Sequence, residues 1–524
     1  MKRSERLVLA ATAVVLATGL KLPAQPATVR VDGGLVSGVV GGTPGMRVFK
    51  GIPFAAPPVG PLRWRPPQPV SSWDGVRQAD QFGAQCMQPT NLGVGRRGVT
   101  TATAPPMSED CLYLNVWTEA ASASERRPVI VWSHGGALTI GTGSARDGEA
   151  LARKGAVVVA YDYRLGPFGF FSHSELTKES GRNASGNYGL MDLFAVLRWV
   201  QANISAFGGD PNRVTLVGQS GGGRLTRATV ASTHGRGLFH RAISQSAPVR
   251  IERMWTLVEA EEAGQAEAAK IGAASLAELR ARPADEIQRG MQTGRLMVDG
   301  WYVTEDISLT IAEGRHNRVD LLIGSNKDEG TFVSLYPASP FFGLEKTTAR
   351  QFTDGSARRF GSSAAAFLEL YPAGSSDDAA RASQRMAFRD EAAWNAREWA
   401  RAQRRAGSKA YLYYFVHEPP AAPGQPNRGA THGTEIPYVF NSRVASWTDV
   451  DRELADTMSS YWVNFAATGD PNRAGLPMWP VLEPNANERL ILGPKIEVGP
   501  GLDSKRAALF DAVAIRRSAG ASPR

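Results

Sequence analysis

Residues 214–223 read Val214-Thr215-Leu216-Val217-Gly218-Gln219-Ser220-Gly221-Gly222-Gly223. A short apolar run, suited to a buried strand, leads straight into G-x-S-x-G. With 55 glycines among 524 residues, the five-residue string by itself arises easily by chance. Its setting carries the information. A strand that enters and a helix that leaves force the chain to reverse within a few residues. The central serine is then held in strained backbone geometry, and its neighbours two positions away must lack a Cβ, as Gly218 and Gly222 do. The hydroxyl stands clear at a helix N-terminus, where partial positive charge favours an oxyanion. Ser220 is therefore the candidate nucleophile.

Upstream, Pro128–Trp132 is a short apolar run that ends in Ser133-His134-Gly135-Gly136-Ala137. Preorganised backbone N–H groups stabilise the charge of a tetrahedral intermediate at little reorganisation cost. A glycine-rich HGG segment admits such close approach, and it pairs with the N–H after the nucleophile. Gly136, Ala137 and Gly221 are the candidate donors. His134 precedes the nucleophile and reads as structural, because a serine on this kind of elbow is followed in the chain by its acid and then its base.

The base must come from downstream. His234 and His240 fall too soon after the elbow, which leaves His316, His417 and His432. His432, in Gly429-Ala430-Thr431-His432-Gly433, lies in a loop after a strand and is the favoured base. The acid falls within Gly324-Ser325-Asn326-Lys327-Asp328-Glu329-Gly330. Spacing alone leaves Asp328 and Glu329 both open.

The remaining pattern predicts a mostly parallel sheet covered on both faces. Ala156–Ala160, Val214–Val217, Val319–Ile323 and Lys409–Phe415 join Pro128–Trp132 as short buried strands. Residues 28–40 suggest an opening hairpin. Asn187–Ile204 and Thr448–Ala467 have helical spacing, and residues 256–320 and 340–408 are expected to be helical excursions above the sheet. No internal repeat is present, and residues 25–524 are expected to form one domain.

Composition is that of a globular chain, 43% apolar and 21% charged. The net charge of +9 is spread over the chain without a run of five like charges or a nucleic-acid motif, which fits a solvated, arginine-rich exterior. No nucleic-acid partner is expected. Met1–Arg6 is basic, Leu7–Leu20 is apolar, and Lys21-Leu22-Pro23-Ala24 follows. This is the pattern of a signal peptide over residues 1–24, too short for a span of about 20 residues. The expected location is secreted or periplasmic, without stable membrane association. In that oxidising setting Cys86 and Cys111 are able to pair.

Together the motifs resemble the type-B carboxylesterase family, which includes bacterial para-nitrobenzyl esterases and, more distantly, the cholinesterases. The resemblance spans FKGIPFAAPPVGPLRW (Phe49–Trp64), SEDCLYLNVW (Ser108–Trp117), WSHGGA (Trp132–Ala137) and YRLGPFGF (Tyr163–Phe170). It continues through GNYGLMD (Gly186–Asp192), the elbow, GSNKDEG (Gly324–Gly330), HGTEIPYVF (His432–Phe440) and NFAATGDPN (Asn464–Asn472). It implies an α/β-hydrolase fold, with a large mostly parallel central sheet, helices on both faces and helical insertions over the active site. By position it implies Ser220, Glu329 and His432 as a triad, with Glu329 rather than Asp328 as the acid. It also implies a Cys86–Cys111 disulfide, an Arg63–Glu109 ion pair, and Ser246 and Glu435 as polar positions behind the histidine. Neither a metal nor an organic cofactor is implied.

Departures from the family pattern sit beside the nucleophile. The elbow reads GQSGGG where the family usually reads GESAGG, so Gln219 replaces a carboxylate and argues against a preference for cationic esters. Gly221 keeps the backbone N–H of the usual alanine. Leu138 replaces a common aromatic residue. Arg224 and Arg227 stand where small or apolar residues are commoner, which raises the idea of a carboxylate-bearing ester. Gln219, Arg224, Leu138 and Trp255 are the candidate substrate contacts, and Phe341, Phe342 and Trp394 are further candidate aromatic liners. The expected reaction is hydrolysis of small to medium esters, aromatic or carboxylate-bearing among them, with water as co-substrate, by a monomer or small homo-oligomer. The alternatives are a lipase or polyester hydrolase, and a non-catalytic binding protein on the same fold.

Overall fold

The computed structural model describes residues 28–89, 105–247, 253–331, 347–421, 424–425 and 427–518. The expected signal peptide, Phe341 and Phe342 lie outside the described residues.

An eleven-stranded sheet organises the described chain. In chain order its strands are β1 (Val39–Val40), β2 (Arg47–Pro53), β3 (Tyr113–Thr118), β4 (Arg127–Ser133), β5 (Val157–Tyr161) and β6 (Gly209–Gln219). Then come β7 (Arg241–Gln245), β8 (Asp320–Asn326), β9 (Ala410–Phe415), β10 (Arg489–Leu492) and β11 (Glu497–Gly499). Their spatial order is β11-β10-β9-β8-β7-β6-β4-β5-β3-β2-β1. From β5 through β4, β6, β7, β8 and β9 to β10 every pairing is parallel, and both flanks are antiparallel. This is the large, mostly parallel sheet of an α/β-hydrolase.

The apolar runs are continuous because both faces of the sheet are covered. Alternate residues of one strand enter different cores. Val129 and Val131 of β4 pack on one side, with Val157, Val159 and Leu216. Ile130 and Trp132 pack on the other, with Val158, Ala160 and Val217. The first side is closed by helix α1 (Tyr188–Asn203) and by Trp399 and Ala400 of a long helix described below. The second is closed by Leu454, Met458, Trp462 and Phe465 of the helix Asp449–Thr468. That helix starts in a capping box, in which Thr448 and Asp451 exchange side-chain to backbone hydrogen bonds.

Helix α2 (Gly221–Ala231) follows β6 directly. Residues 256–320 contain four short helices, and residues 349–405 end in helix α3 (Asp377–Arg405). Phe352, Phe360, Phe367, Tyr371 and Trp394 form a separate apolar cluster with Phe510 of the last helix, Ser504–Ser518. Strands β3 and β7 have no counterpart in the expected elements. Tyr113–Thr118 carries Asn115, and Arg241–Gln245 ends in Ser244-Gln245, all three polar and all three buried. The opening hairpin does form, with Val31 paired to Gly34. No helix among the described residues is long and apolar enough to cross a membrane.

Two buried polar links fasten this frame. Arg164 after β5 meets Asp192 of α1 through Nη2–Oδ1 at 2.7 Å and Nε–Oδ2 at 2.9 Å, and the Arg164 backbone N–H donates to the same carboxylate. Arg63 meets Glu109 through Nε–Oε2 at 2.7 Å, and its Nη1 donates to the carbonyls of Leu279, Arg280 and Arg282. Beside Glu109, Cys86 and Cys111 form a disulfide across 25 residues.

A loop of that size restricts the unfolded chain by about 3 kcal/mol on the chain-entropy account. The Cys86→Ser/Cys111→Ser double variant is therefore expected to unfold in denaturant with about that much less stability than the oxidised wild type. Equal midpoints and slopes would show that the link contributes nothing.

Candidate active site

Ser220 occupies the turn between β6 and α2 with φ 55° and ψ −116°, a conformation that costs a non-glycine residue free energy. Two contacts hold it there. Its N–H donates to the Gln245 carbonyl at the end of β7, and its carbonyl accepts from the Arg224 N–H in the first turn of α2. The glycines around it are needed for space. A Cβ on Gly218 would lie 2.2 Å from the Gly222 carbonyl oxygen, and one on Gly222 would lie 2.0 Å from the Ser133 carbonyl oxygen. Strand β6, helix α2 and the end of β4 thus touch backbone to backbone. Ser220 itself keeps some exposure while Gln219 and Gly221 on either side are buried.

Beyond β4 the chain turns through Gly136, Ala137 and Leu138, all with positive φ (113°, 56° and 67°). The Gly136 carbonyl closes the turn by accepting from the Thr139 and Ile140 N–H groups. A Cβ on Gly221 would fall 3.1 Å from the Ala137 nitrogen and 2.9 Å from the Leu138 nitrogen. The turn and the start of α2 therefore bring backbone N–H groups together beside Ser220. Leu138 contributes its amide to this cluster. Its side chain is buried in the main core. A backbone amide in this place has no signature in the residue type, since every non-proline residue carries one.

His134 is buried under the Tyr163 ring, with centroids 4.4 Å apart, and its Nδ1 lies 2.8 Å from the Gly135 carbonyl oxygen. Burial pushes its imidazole down to about 4, so it stays neutral and shapes the turn. His417 is engaged by Asp451, Nε2 to Oδ1 at 2.7 Å, at the start of the helix Asp449–Thr468. His316 is buried, and burial lowers its pKa.

His432 lies across from the elbow. Its Nδ1 is 2.6 Å from Glu329 Oε2, and its Nε2 is 3.2 Å from the Gln219 side-chain nitrogen. Glu329 is fully buried. Burial alone would raise its pKa, but the nearby His432 and hydrogen bonds from His432, Ser246 and the Asn326 N–H hold it below the usual value. Behind it Glu435 is also fully buried, and burial with the neighbouring Glu329 pushes its pKa up. Glu435 accepts from Asn326 Nδ2 at 2.6 Å, Gln245 Nε2 at 3.3 Å and Ser246 Oγ at 3.5 Å.

Asp328, the other acid that spacing allowed, does different work. Its N–H donates to the Ala430 carbonyl at 3.0 Å, and its carboxylate accepts the Ala430 N–H at 2.8 Å. It joins the loop that carries Glu329 to the loop that carries His432. Asn326 reinforces this link by donating to the Thr431 carbonyl.

The remaining candidates separate. Arg224 stands in the first turn of α2, half-buried. Arg227 is buried against α3, where it donates to Asn395 Oδ1 at 3.3 Å and lies over the Trp399 ring at 5.4 Å. Burial pulls its guanidinium down to about 10. Arg227 thus belongs to the layer between helices. Trp255 is half-buried beneath the Arg295 guanidinium, 4.2 Å from its ring. The same segment crosses the turn after β4 at Gly294, where a Cβ would lie 3.6 Å from the Ala137 and Leu138 carbonyl oxygens. Trp394 packs against Phe510 and donates to Asp511 Oδ1, so it belongs to the separate apolar cluster. Among the described residues no group of three His, Cys, Asp or Glu side chains is placed to hold a metal ion.

A strained serine on a strand–helix elbow, at the centre of this sheet, defines an α/β-hydrolase. The sequence profile described as the carboxylesterase family matches residues 25–510. Fumonisin B1 esterase of Sphingopyxis macrogoltabida is 36% identical, over 93% of this chain and 91% of its own length. Para-nitrobenzyl esterase of Bacillus subtilis (strain 168) is 33% identical, over 89% of this chain and 95% of its own. Two solved PNB esterase structures superpose with TM-scores of 0.78 and 0.80, each at 31% identity over 92% of this chain and 99% of theirs. The chain belongs to the carboxylesterase family, and it is a serine ester hydrolase.

The close approach at Gly222 generates a sharp expectation. Gly222→Ala should destabilise the protein by on the order of 3 kcal/mol or more, since backbone atoms must move to admit the methyl group. Thermal unfolding of the variant at an unchanged temperature would contradict the contact with Ser133.

Proposed function

We propose that Ser220, His432 and Glu329 act as a nucleophile, base and acid that hydrolyse carboxylic esters through an acyl-enzyme. The observation that carries this reading is the 2.6 Å contact between His432 Nδ1 and Glu329 Oε2, in a site where His432 faces the elbow. Glu329 holds the proton on Nδ1 and leaves Nε2 to accept another. Ser220 Oγ attacks the ester carbonyl carbon while His432 Nε2 takes the hydroxyl proton. The N–H groups of Gly136, Ala137 and Gly221, with Leu138 beside them, receive the oxyanion. The carbon–oxygen bond to the alcohol breaks, and the alcohol leaves with the proton from His432. Water then attacks the acyl-enzyme, gives its proton to His432, and the carboxylic acid departs as Ser220 Oγ recovers that proton.

The substrates are small to medium esters. Relatives named for fumonisin B1, cocaine and para-nitrobenzyl esters all share about a third of their residues with this chain, so kinship supports the bond cleaved more than the ester. Arg224, half-buried one turn from Ser220, supports a place for esters that carry a carboxylate. Export through the residue 1–24 signal is part of the proposal, and the disulfide is consistent with it.

A fluorophosphonate is expected to label the wild type at Ser220, and Ser220→Ala is expected to lose labelling and at least about a thousandfold in kcat/KM. Full activity in that variant would refute the assignment. On paired esters of similar size, Arg224→Ala should weaken hydrolysis of the carboxylate-bearing member about tenfold and spare the neutral one. Equal losses on both would remove the role given to Arg224.

A further inference from the structure

We propose that Gln219 is a positioning residue that donates a hydrogen bond to His432 Nε2 and so keeps the imidazole neutral, ready to deprotonate Ser220 in mildly acidic medium. The inference rests on the reading of Ser220 and His432 given above. It starts from the 3.2 Å separation between the Gln219 side-chain nitrogen and His432 Nε2.

Hydrogen-bond polarity decides what that contact is. His432 Nδ1 faces a carboxylate oxygen of Glu329 at 2.6 Å, and a carboxylate accepts only. Nδ1 therefore carries a hydrogen. A neutral imidazole has a single N–H, so Nε2 is bare and offers its lone pair. The group that fits a bare lone pair is the carboxamide N–H, which is the orientation found. The same N–H meets a repulsive N–H partner once Nε2 is protonated. The contact exists for the neutral ring and is lost by the imidazolium, so it favours the neutral form.

The surroundings hold the amide at this place. Gln219 is buried at the end of β6, where the backbone has no freedom to withdraw. Its Oε1 lies over Gly135, at 2.5 Å from where a Cβ would be, and its Nε2 lies 3.5 Å from the Cβ position of Gly433. Both loops that flank the amide lack a side chain where it passes. Gly433 is at φ 79°, as the turn after His432 requires.

The charges around His432 explain why such a donor matters. Glu329, from the loop after β8, faces Nδ1, and Glu435, from the turn after His432, also acts on the ring. Tyr413 of β9 lies near both carboxylates and is kept in its neutral form by burial. Negative charge on Glu329 favours the imidazolium, which cannot accept the Ser220 proton. A carboxylate at position 219 would add to that bias from the Nε2 side. The amide opposes it. At 3.2 Å the contact is also long for an N–H donor, which lets the Ser220 hydroxyl take over the lone pair during attack.

The test is the pH dependence of kcat/KM for a small neutral aryl ester, with the rate of fluorophosphonate labelling as a second readout. Wild type, Gln219→Met and Gln219→Glu are compared, and the thermal unfolding temperature of each is recorded. The acid limb is expected to move up by about half a pH unit in Gln219→Met, which loses the donor. It should move up by about one unit or more in Gln219→Glu, which places a charge against Nε2. A limb within 0.2 unit of wild type in Gln219→Met, or a loss of rate uniform across the profile, would overturn the proposal. If Gln219→Met does not fold, Gln219→Leu takes its place as the variant that removes the donor without adding a charge. Ser220→Ala runs alongside. Activity that survives in Ser220→Ala refutes the reading of the site, whereas a dead Ser220→Ala with coincident limbs refutes only the role of Gln219.

Discussion

The crossing of β6, α2 and β4 is a contact between backbones, with Gly218 and Gly222 packed where no Cβ fits. Because the limiting atoms are main-chain oxygens, no side-chain rotation relieves the crowding, and the geometry is stiff. The parallel register fixes the partners: Val217 lies opposite Trp132, and Gly218 opposite Ser133. One residue of slippage would move the turn at Gly136–Leu138 away from the start of α2. Strand β7 adds the third constraint through the Gln245 carbonyl, which takes the Ser220 N–H. Ser220 and the N–H groups beside it are thus placed by adjacent strands of the sheet.

The opposite side of the site is held by polar groups, and its energetics differ. Two fully buried carboxylates, Glu329 and Glu435, stand near one another, which is costly unless each is well satisfied. Asn326 serves both. Its N–H meets Glu329 Oε1, and its Nδ2 meets Glu435 Oε2. Their responses diverge, with Glu329 drawn down and Glu435 pushed up, as expected when a histidine faces only one of a pair of like charges directly. The resulting asymmetry keeps negative charge where Nδ1 needs it.

Much of this was legible in the chain, for identifiable reasons. Strands β4, β5, β6, β8 and β9 are buried on both faces, so their runs are unbroken and stand out. Strands β3 and β7 hide Asn115 and Gln245, which only tertiary partners satisfy, as where Gln245 meets Glu435 and Trp462. No periodicity reveals that. The elbow was readable because steric necessity dictates its glycines. Spacing along the chain leaves Asp328 and Glu329 equal, and the difference lies in direction: Glu329 turns toward His432, Asp328 toward the Ala430 amide. Residue type alone makes Arg227 and Trp394 candidates for substrate contact, and each is instead engaged by a neighbouring helix, α3 for the first and Ser504–Ser518 for the second.

The bridge made by Asp328 has a meaning for how such a chain can change. It ties the loops bearing Glu329 and His432 to each other by two hydrogen bonds, without help from residues 256–320 or 349–405. Residues 256–320 and 349–405 meet the rest of the site at defined places, where Gly294 passes the turn after β4 and where Asn395 and Trp399 meet Arg227. Away from those touching points, the spacing of Glu329 and His432 is set by the bridge and not by the excursions. Tolerance of change is therefore uneven along the chain: backbone packed on backbone at the elbow admits no larger residue, whereas the excursions are constrained most where they touch it.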